Sequence, residues 1–199
     1  MTQRGADFVR DVLANRHNRA ILARWPELAL PDGWLVAGCL FQSVWNLQAG
    51  RAPEADIKDY DLFYFDATDL GEEAEQRVQA RVDAVLGDLG VTVEASNQAR
   101  VHLWYEAYFG QPYPRALRSS REGIERFLVP CTCVGIRPAQ AAQAAQAAQA
   151  AQEVCAPYGL GDLYAGRLAP NPLVPAPTLF ARKVASYRAR WPALQVVAA

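Results

Sequence analysis

Apolar residues recur in two rhythms along this 199-residue chain, and the changes of rhythm mark its elements. Phe8, Val9, Val12 and Leu13 fall at helical spacing, as do Ala20, Ile21, Leu22 and Trp25 after a polar break at Asn15–Asn18. The spacing predicts helices within 5–25, covering one face of a sheet. Pro26 and then Pro31-Asp32-Gly33 end that region with turn chemistry. Trp34–Ala37 is a short apolar strand. Gly38-Cys39 follows, and Leu40, Phe41, Val44, Trp45 and Leu47 give a helix closed by Gly50. A polar loop, Arg51–Lys58, leads into Asp59–Phe65, which alternates as a strand should. Asp59, Asp61, Phe63 and Phe65 point one way, and Tyr60, Leu62 and Tyr64 the other.

Further on, Asp69 with Glu72 reads as a capping box. It would open a helix carrying Ala74, Val78, Val82, Val85, Leu86 and Leu89, stopped by Gly87 and Gly90. Val91–Glu94 is a third strand. Residues 97–108 fit either rhythm. Alternation would group Gln98, Arg100, His102 and Trp104, whereas helical spacing groups Asn97, Arg100, Val101 and Trp104, and helix is preferred. Ser119 and Glu122 form a second capping box for a short helix through Phe127. Pro130 introduces CTCVGIR as a buried strand, with Cys131 and Cys133 on the same side, and a fifth strand near Glu153–Ala156 pairs with it. Between them, Ala139–Gln152 repeats Gln every third residue, so its Gln row winds around any helix axis and offers no fixed face. The Pro- and Gly-rich stretch Ala156–Phe180 is expected to run over the surface. A closing helix, Phe180–Trp191, sets Phe180, Val184 and Tyr187 on one face with Lys183 beside them. The organisation expected is one domain over 1–199, with its core at 34–66, an Ala/Gln insertion at 138–153, and a C-terminal extension at 156–199 packed on the core.

Composition narrows the function. An apolar share of 51% suffices for a sizeable core. With 20 basic and 21 acidic residues and no run of Lys or Arg, avid nucleic-acid binding is disfavoured without being ruled out. Lys58 and Lys183 are the only lysines. The acid-containing N-terminus is no secretory signal, and no apolar window is long enough to span a membrane, so a cytoplasmic protein is expected. Cys39, Cys131, Cys133 and Cys155 form no Cys-x-x-Cys pair and read as buried small hydrophobes. With only His17 and His102, a His-rich zinc site is disfavoured.

Candidate chemistry centres on Asp59 and Asp61. At i and i+2 on a strand, their Cα atoms lie about 6.5–7 Å apart on one face. Two carboxylates so placed can converge on a hard cation such as Mg²⁺ or Mn²⁺. The same pattern in isolation also describes a solvated sheet rim. Gly38 at the mouth of a helix lets a ligand approach the backbone, and the helix's free N–H groups suit a phosphate. It also fits an ordinary tight strand–helix turn. Glu94, at the end of the next strand, is a third carboxylate for metal binding or general-base work, or a surface glutamate. Arg100 suits phosphate pairing. His102 fits a substrate site or a structural role, and Asn97 and Gln98 fit a pocket or a helix cap.

Gly38-Cys39 followed by Asp59-x-Asp61 resembles the nucleotidyltransferase superfamily motif: a hydrophobic residue, Gly, a small residue, then Asp-x-Asp on the next strand. More closely, VAGCLFQSVWN, IKDYDLFYFD, NQARVHLWY, VGIR, APYGLGDLYAGRLAPNP and RWP resemble, in that order, a family of uncharacterised bacterial nucleotidyltransferase-like proteins. The resemblance runs from about 34 to 192, broken by the Ala/Gln stretch. It implies an α+β, α/β-like nucleotidyltransferase fold: a mixed sheet of about five strands flanked by helices. It also implies transfer of a nucleoside monophosphate from a nucleoside triphosphate such as ATP to an unidentified acceptor, with release of pyrophosphate. On this reading Asp59, Asp61 and Glu94 are catalytic, and Asp59 and Asp61 hold Mg²⁺ or Mn²⁺. Gly38 and Cys39 would contact the triphosphate. Asn97, Gln98, Arg100 and His102 match the family's own motif without a role implied by it, and from their chemistry Arg100 is the candidate nucleotide contact and Asn97, Gln98 and His102 the candidate substrate pocket. Two features depart from the superfamily pattern. Cys39 stands where Ser is usual, and the spacer from Cys39 to Asp59 is long. Two other functions stay open: a non-catalytic nucleotide-binding module of the same fold, and a toxin-like transferase modifying transfer RNA or protein.

Overall fold

The computed structural model describes residues 2–110, 113, 115–139 and 152–197. The reading of the Ala/Gln stretch falls largely outside them. In chain order the elements are α1 (Gln3–Ala14), α2 (Arg16–Ala23), α3 (Trp25–Leu28), β1 (Trp34–Val36), α4 (Gly38–Gln48), β2 (Asp59–Tyr64), α5 (Glu72–Leu86), β3 (Thr92–Asn97), α6 (Val101–Phe109) and α7 (Ser120–Ile124). Then come β4 (Gly135–Pro138), β5 (Gln152–Cys155), α8 (Gly161–Ala165), β6 (Arg167–Leu168), α9 (Pro177–Arg190) and β7 (Gln195–Val196). Five strands form one mixed sheet in the order β3-β2-β1-β4-β5, and β6 pairs with β7 apart from it. Strand β1 is antiparallel to β2 and β4, whereas β2 and β3 are parallel. This is the α+β architecture expected.

Alternation assigns the two faces of the sheet. Leu35, Tyr60, Leu62, Tyr64, Val93, Ala95 and Ile136 join Phe8, Val12 and Ile21 of α1 and α2, Val44 and Trp45 of α4, and Val82 and Leu86 of α5 in the main core. Trp34 and Val36 face the other way, in a smaller cluster with Ile124, Cys133 and Cys155, against which Phe63 and Phe127 pack. The acidic positions of β2 lie on this second, more open face.

Buried asparagines stitch the irregular segments to this frame. In α2, Asn18 donates from Nδ2 to the carbonyls of Val12 (3.0 Å) and Cys39 (2.9 Å). From α4, Asn46 donates to the carbonyls of Pro53 (3.2 Å) and Ala55 (2.8 Å) and accepts from the Trp191 indole (3.1 Å). Asn171 donates to the carbonyls of Glu125 (2.8 Å) and Phe127 (2.7 Å). Each amide satisfies backbone groups that a loop would otherwise bury unpaired.

Several local expectations change. Gly71, not Asp69, caps α5, and the Asp69 carboxylate accepts from the Gly71 N–H (2.9 Å) in a turn before the helix. Ser119 does cap α7 by accepting from the Glu122 N–H (3.3 Å), but that helix stops at Ile124. Strand β3 extends to Asn97, beyond Glu94, because it pairs with β2 along its whole length. Residues 98–100 form a 3₁₀ turn leading into α6, so helix is correct for 101–109. CTCVGIR is not all strand. Pro130–Thr132 makes a 3₁₀ turn, which puts Cys131 in the main core and Cys133 in the smaller cluster. All four cysteines are buried free thiols. The stretch after Ala156 does not merely cover the surface: Leu160, Leu163 and Leu168 belong to the main core. Among the described residues no helix is long and apolar enough to cross a membrane.

Replacing Asn46 by Ala orphans the Trp191 N–H and two loop carbonyls at once. The expected cost is about 2–4 kcal/mol, read as a lower urea midpoint with an unchanged m value. A loss below about 0.5 kcal/mol, the usual surface effect, would show that the amide does not hold the loop.

Candidate active site at the mouth of helix α4

The turn from β1 into α4 has no spare residue. Ala37 makes it alone, at φ 58° and ψ −126°. An L residue at positive φ stores of order 1–3 kcal/mol of strain unless its surroundings hold it there. Here the Ala37 N–H donates to the Val134 carbonyl (3.2 Å), and its own carbonyl accepts from Leu40 (3.0 Å) and Phe41 (3.2 Å). The kink starts α4 at Gly38, beside β2. A Cβ on Gly38 would stand 2.8 Å from Gln42 Nε2 and 3.9 Å from Asp59 Oδ1. The helix's positive end therefore faces the first aspartate.

Register brings the acids together. Asp61 pairs with Val36 on one side and with Glu94 on the other. Burial pushes the Asp61 carboxyl up to about 7 from its ordinary 3.8, and the charges of Asp59 and Glu94 add to the rise. Lys183, on α9, opposes it. Negative charge is thus crowded here beyond what the chain's own cations offset.

Asp59 and Asp61 line a cavity of about 440 Å³. Leu179, Lys183 and Tyr187 wall one side. Trp104, Tyr105 and Tyr113 line it too, with the Arg126 guanidinium 5.7 Å from the Tyr113 ring centroid. That volume suits a ligand of nucleotide size.

The other expected residues divide. Gly38 and Gln98 line the cavity, and Gln98 is buried where Gly123 lacks a side chain: a Cβ there would stand 2.2 Å from Gln98 Oε1. Glu94 is exposed beside Asp61 and lies outside the cavity lining. The Cys39 side chain points into the core, its thiol 3.3 Å from the Val36 carbonyl, and burial pushes that thiol well above its usual range. Only its backbone is left to meet a ligand. Arg100 is drawn away by an ion pair with Glu75 and a bond to the Leu70 carbonyl (2.9 Å). Asn97 is spent on the chain itself. Its amide accepts from the Asp66 N–H (3.0 Å) and donates to the Asp66 carbonyl (2.8 Å), locking the ends of β2 and β3 together. His102 also lies outside the cavity lining, with a buried Nδ1 that has no hydrogen-bond partner among the described residues. Ala37, Gln42, Arg126 and Lys183 line the cavity without having been singled out as site residues. Gln42 had a signal, since one helical turn after Gly38 it shares that residue's face. Lys183 had its rarity.

Among the described residues no three His, Cys, Asp or Glu side chains come together as a metal cage. A hard cation here would have Asp59 and Asp61 as its protein ligands and would complete its shell with water and substrate oxygens, the usual habit of Mg²⁺ at phosphate sites.

The nucleotidyltransferase family matches residues 23–196, and the chain belongs to it. A solved NMR structure described as revealing a CCA-adding enzyme head domain is 23% identical, with a TM-score of 0.72 over 92% of this chain and 90% of that one. At that identity the likeness shows the fold. No curated protein matches the chain.

Two outcomes are expected. The folded state holds the Asp61 proton more tightly than the unfolded state, so cation-free stability should fall as pH rises from about 4 to about 7, by at most about 4 kcal/mol. Asp61→Asn should remove that fall, leaving a variant more stable than wild type at pH 8 in chelator, and thermal melts across pH would show it. Ala37→Gly should leave the protein as stable or up to about 1 kcal/mol more so, whereas Ala37→Val should cost 2 kcal/mol or more, about the strain of a misfitted backbone. Equal stabilities in urea titrations would refute the strain.

Proposed function

We propose that the cavity binds a nucleoside triphosphate with a divalent cation, Mg²⁺ or Mn²⁺, and transfers the nucleoside monophosphate to an acceptor. The observation that carries this reading is the under-neutralised Asp59–Asp61 pair facing the N-terminal end of α4 across Gly38. The cation, when bound, supplies charge neutralisation and Lewis acidity at the phosphates. Asp59 and Asp61 hold it. Gly38 lets the phosphates approach the backbone, and the N–H groups of Gly38 and Cys39, ahead of the Leu40 and Phe41 N–H groups already bonded to Ala37, donate to them. Lys183 adds a positive charge from α9. The aromatic lining, with Tyr105, Tyr113 and Arg126, suits the flat nucleobase. The acceptor oxygen bonds to the α-phosphorus while the bond to the β-phosphate oxygen breaks, and pyrophosphate leaves with that electron pair. The acceptor's proton passes to solvent or a nearby carboxylate. Glu94 contributes through its charge on Asp61.

One observation favours a second reading, a module that binds nucleotide without transfer. With the Cys39 thiol bonded to the Val36 carbonyl, no hydroxyl or thiol from that position reaches the phosphates. Calorimetry with a non-hydrolysable triphosphate, with and without Mg²⁺, comes first, followed by a pyrophosphate-release screen over candidate acceptors. Cation-dependent binding should vanish in Asp59→Ala and Asp61→Ala, with the fold intact by circular dichroism, and any turnover should drop roughly 10²–10³-fold or more. Turnover that survives either change sinks the metal assignment. Binding with no release for any acceptor favours the module.

A further inference from the structure

Gln42 has a fixed orientation that nothing in its own helix imposes. At the C-terminal end of α9, the Arg190 Nη1 donates to Gln42 Oε1 (2.7 Å). Arg190 is itself anchored, donating to the Asp56 carbonyl (2.8 Å) and lying 4.2 Å over the Trp191 ring. A guanidinium has five donors and no acceptor. Gln42 must therefore turn its carbonyl toward Arg190, which sends its NH₂ the other way. That NH₂ sits over Gly38, 2.8 Å from where a Cβ would stand. Gln42 lines the cavity, and among the described residues nothing accepts a hydrogen bond from this NH₂. A donor is thus held ready at the mouth of α4, where the Cys39 side chain supplies none.

We propose that Gln42 donates a hydrogen bond to the phosphates of the bound triphosphate, and that Arg190 is a positioning residue that sets the sense of its amide. The inference rests on the triphosphate reading above. It ties the C-terminal helix to the site by two routes: Lys183 by charge, and Arg190 by fixing a donor. Both routes need α9 seated against α4, and the burial of Val184, Tyr187 and Trp191 in the main core seats it. The Arg190 bond to the Asp56 carbonyl also holds the loop that delivers Asp59. Arg190 touches Gln42, the Asp56 carbonyl and the Trp191 ring and does not itself line the cavity.

The test uses the full chain with Mg²⁺ and two probes, a non-hydrolysable nucleoside triphosphate and inorganic tripolyphosphate, both read by calorimetry. Gln42→Leu, which removes the donor at similar volume, should weaken both probes about 5- to 30-fold, the range for one hydrogen bond to a charged group. Gln42→Glu keeps the Arg190 contact but presents an oxygen to the phosphates, so it should weaken them at least as much. Arg190→Met should weaken both probes less than Gln42→Leu does, Arg190→Lys should recover the difference because it still donates, and Arg190→Met should add nothing in the Gln42→Leu background. Binding by Gln42→Leu as tight as wild type, with only Gln42→Glu weakened, would mean charge and not a donor, and would overturn the proposal. Full additivity of Arg190→Met and Gln42→Leu would overturn the positioning role. Wild-type protein that binds neither probe sinks the triphosphate reading itself, and this inference with it, whereas wild-type binding with both Gln42 variants unaffected sinks the inference alone.

Discussion

Like charge at close quarters governs this molecule. Asp59 and Asp61 share one face of β2, and Glu94 stands in register beside Asp61 on the next strand. Burying a carboxylate beside other acids costs free energy, and here burial first, then the charges of Asp59 and Glu94, push the Asp61 carboxyl up to about 7. A fold optimised for stability alone would place apolar residues at these positions. The sheet tolerates the acids because the opposite face carries the main core, and because Asp59 and Asp61 open onto a cavity.

The turn at Ala37 makes that arrangement possible. A longer loop between β1 and α4 would carry the helix away from β2 and separate its positive end from Asp59. The turn is short and strained, and it is held by hydrogen bonds to Val134 on one side and to Leu40 and Phe41 on the other. Backbone strain where a ligand would approach is a recurrent sign of pre-organisation. The C-terminal half completes the site. Seated by Val184, Tyr187 and Trp191, α9 carries Lys183 along the cavity wall and Arg190 behind Gln42.

Buried amides supply the remaining rigidity. Asn18, Asn46, Asn97 and Asn171 each satisfy backbone groups of distant segments, and three of these amides bear on the site's frame. Asn18 bonds the Cys39 carbonyl in the first turn of α4. Asn46 holds the loop before β2. Asn97 clamps β2 to β3, which keeps Asp61 and Glu94 in register. Asn97 belongs to a motif that reads as substrate-binding in the sequence, yet its chemistry is consumed within the chain. Arg100 shares that fate through Glu75. A motif residue can matter for a site by building it as well as by touching the ligand.

Local pattern alone determined a good deal. The alternation of Asp59–Phe65, the helical spacing after Gly38 and the punctuation by Pro and Gly established most elements, while the nucleotidyltransferase fold was implied by the resemblance that the ordered motifs carry. These signals are legible because periodicity and turn chemistry act over a few residues. It misjudged elements whose form depends on neighbours. Strand β3 runs to Asn97 because β2 pairs with it that far, and Pro130 breaks the alternation of CTCVGIR with a 3₁₀ turn. Only the tertiary structure decided which polar residues face the cavity. Gln42 shares the face of Gly38 by helical spacing, but Arg126 and Lys183 are brought to the cavity from distant segments, Arg100 turns away to Glu75, and the Cys39 thiol turns into the core. A site is a convergence of distant segments, and side-chain direction there is set by packing and hydrogen-bond satisfaction, which no local spacing encodes.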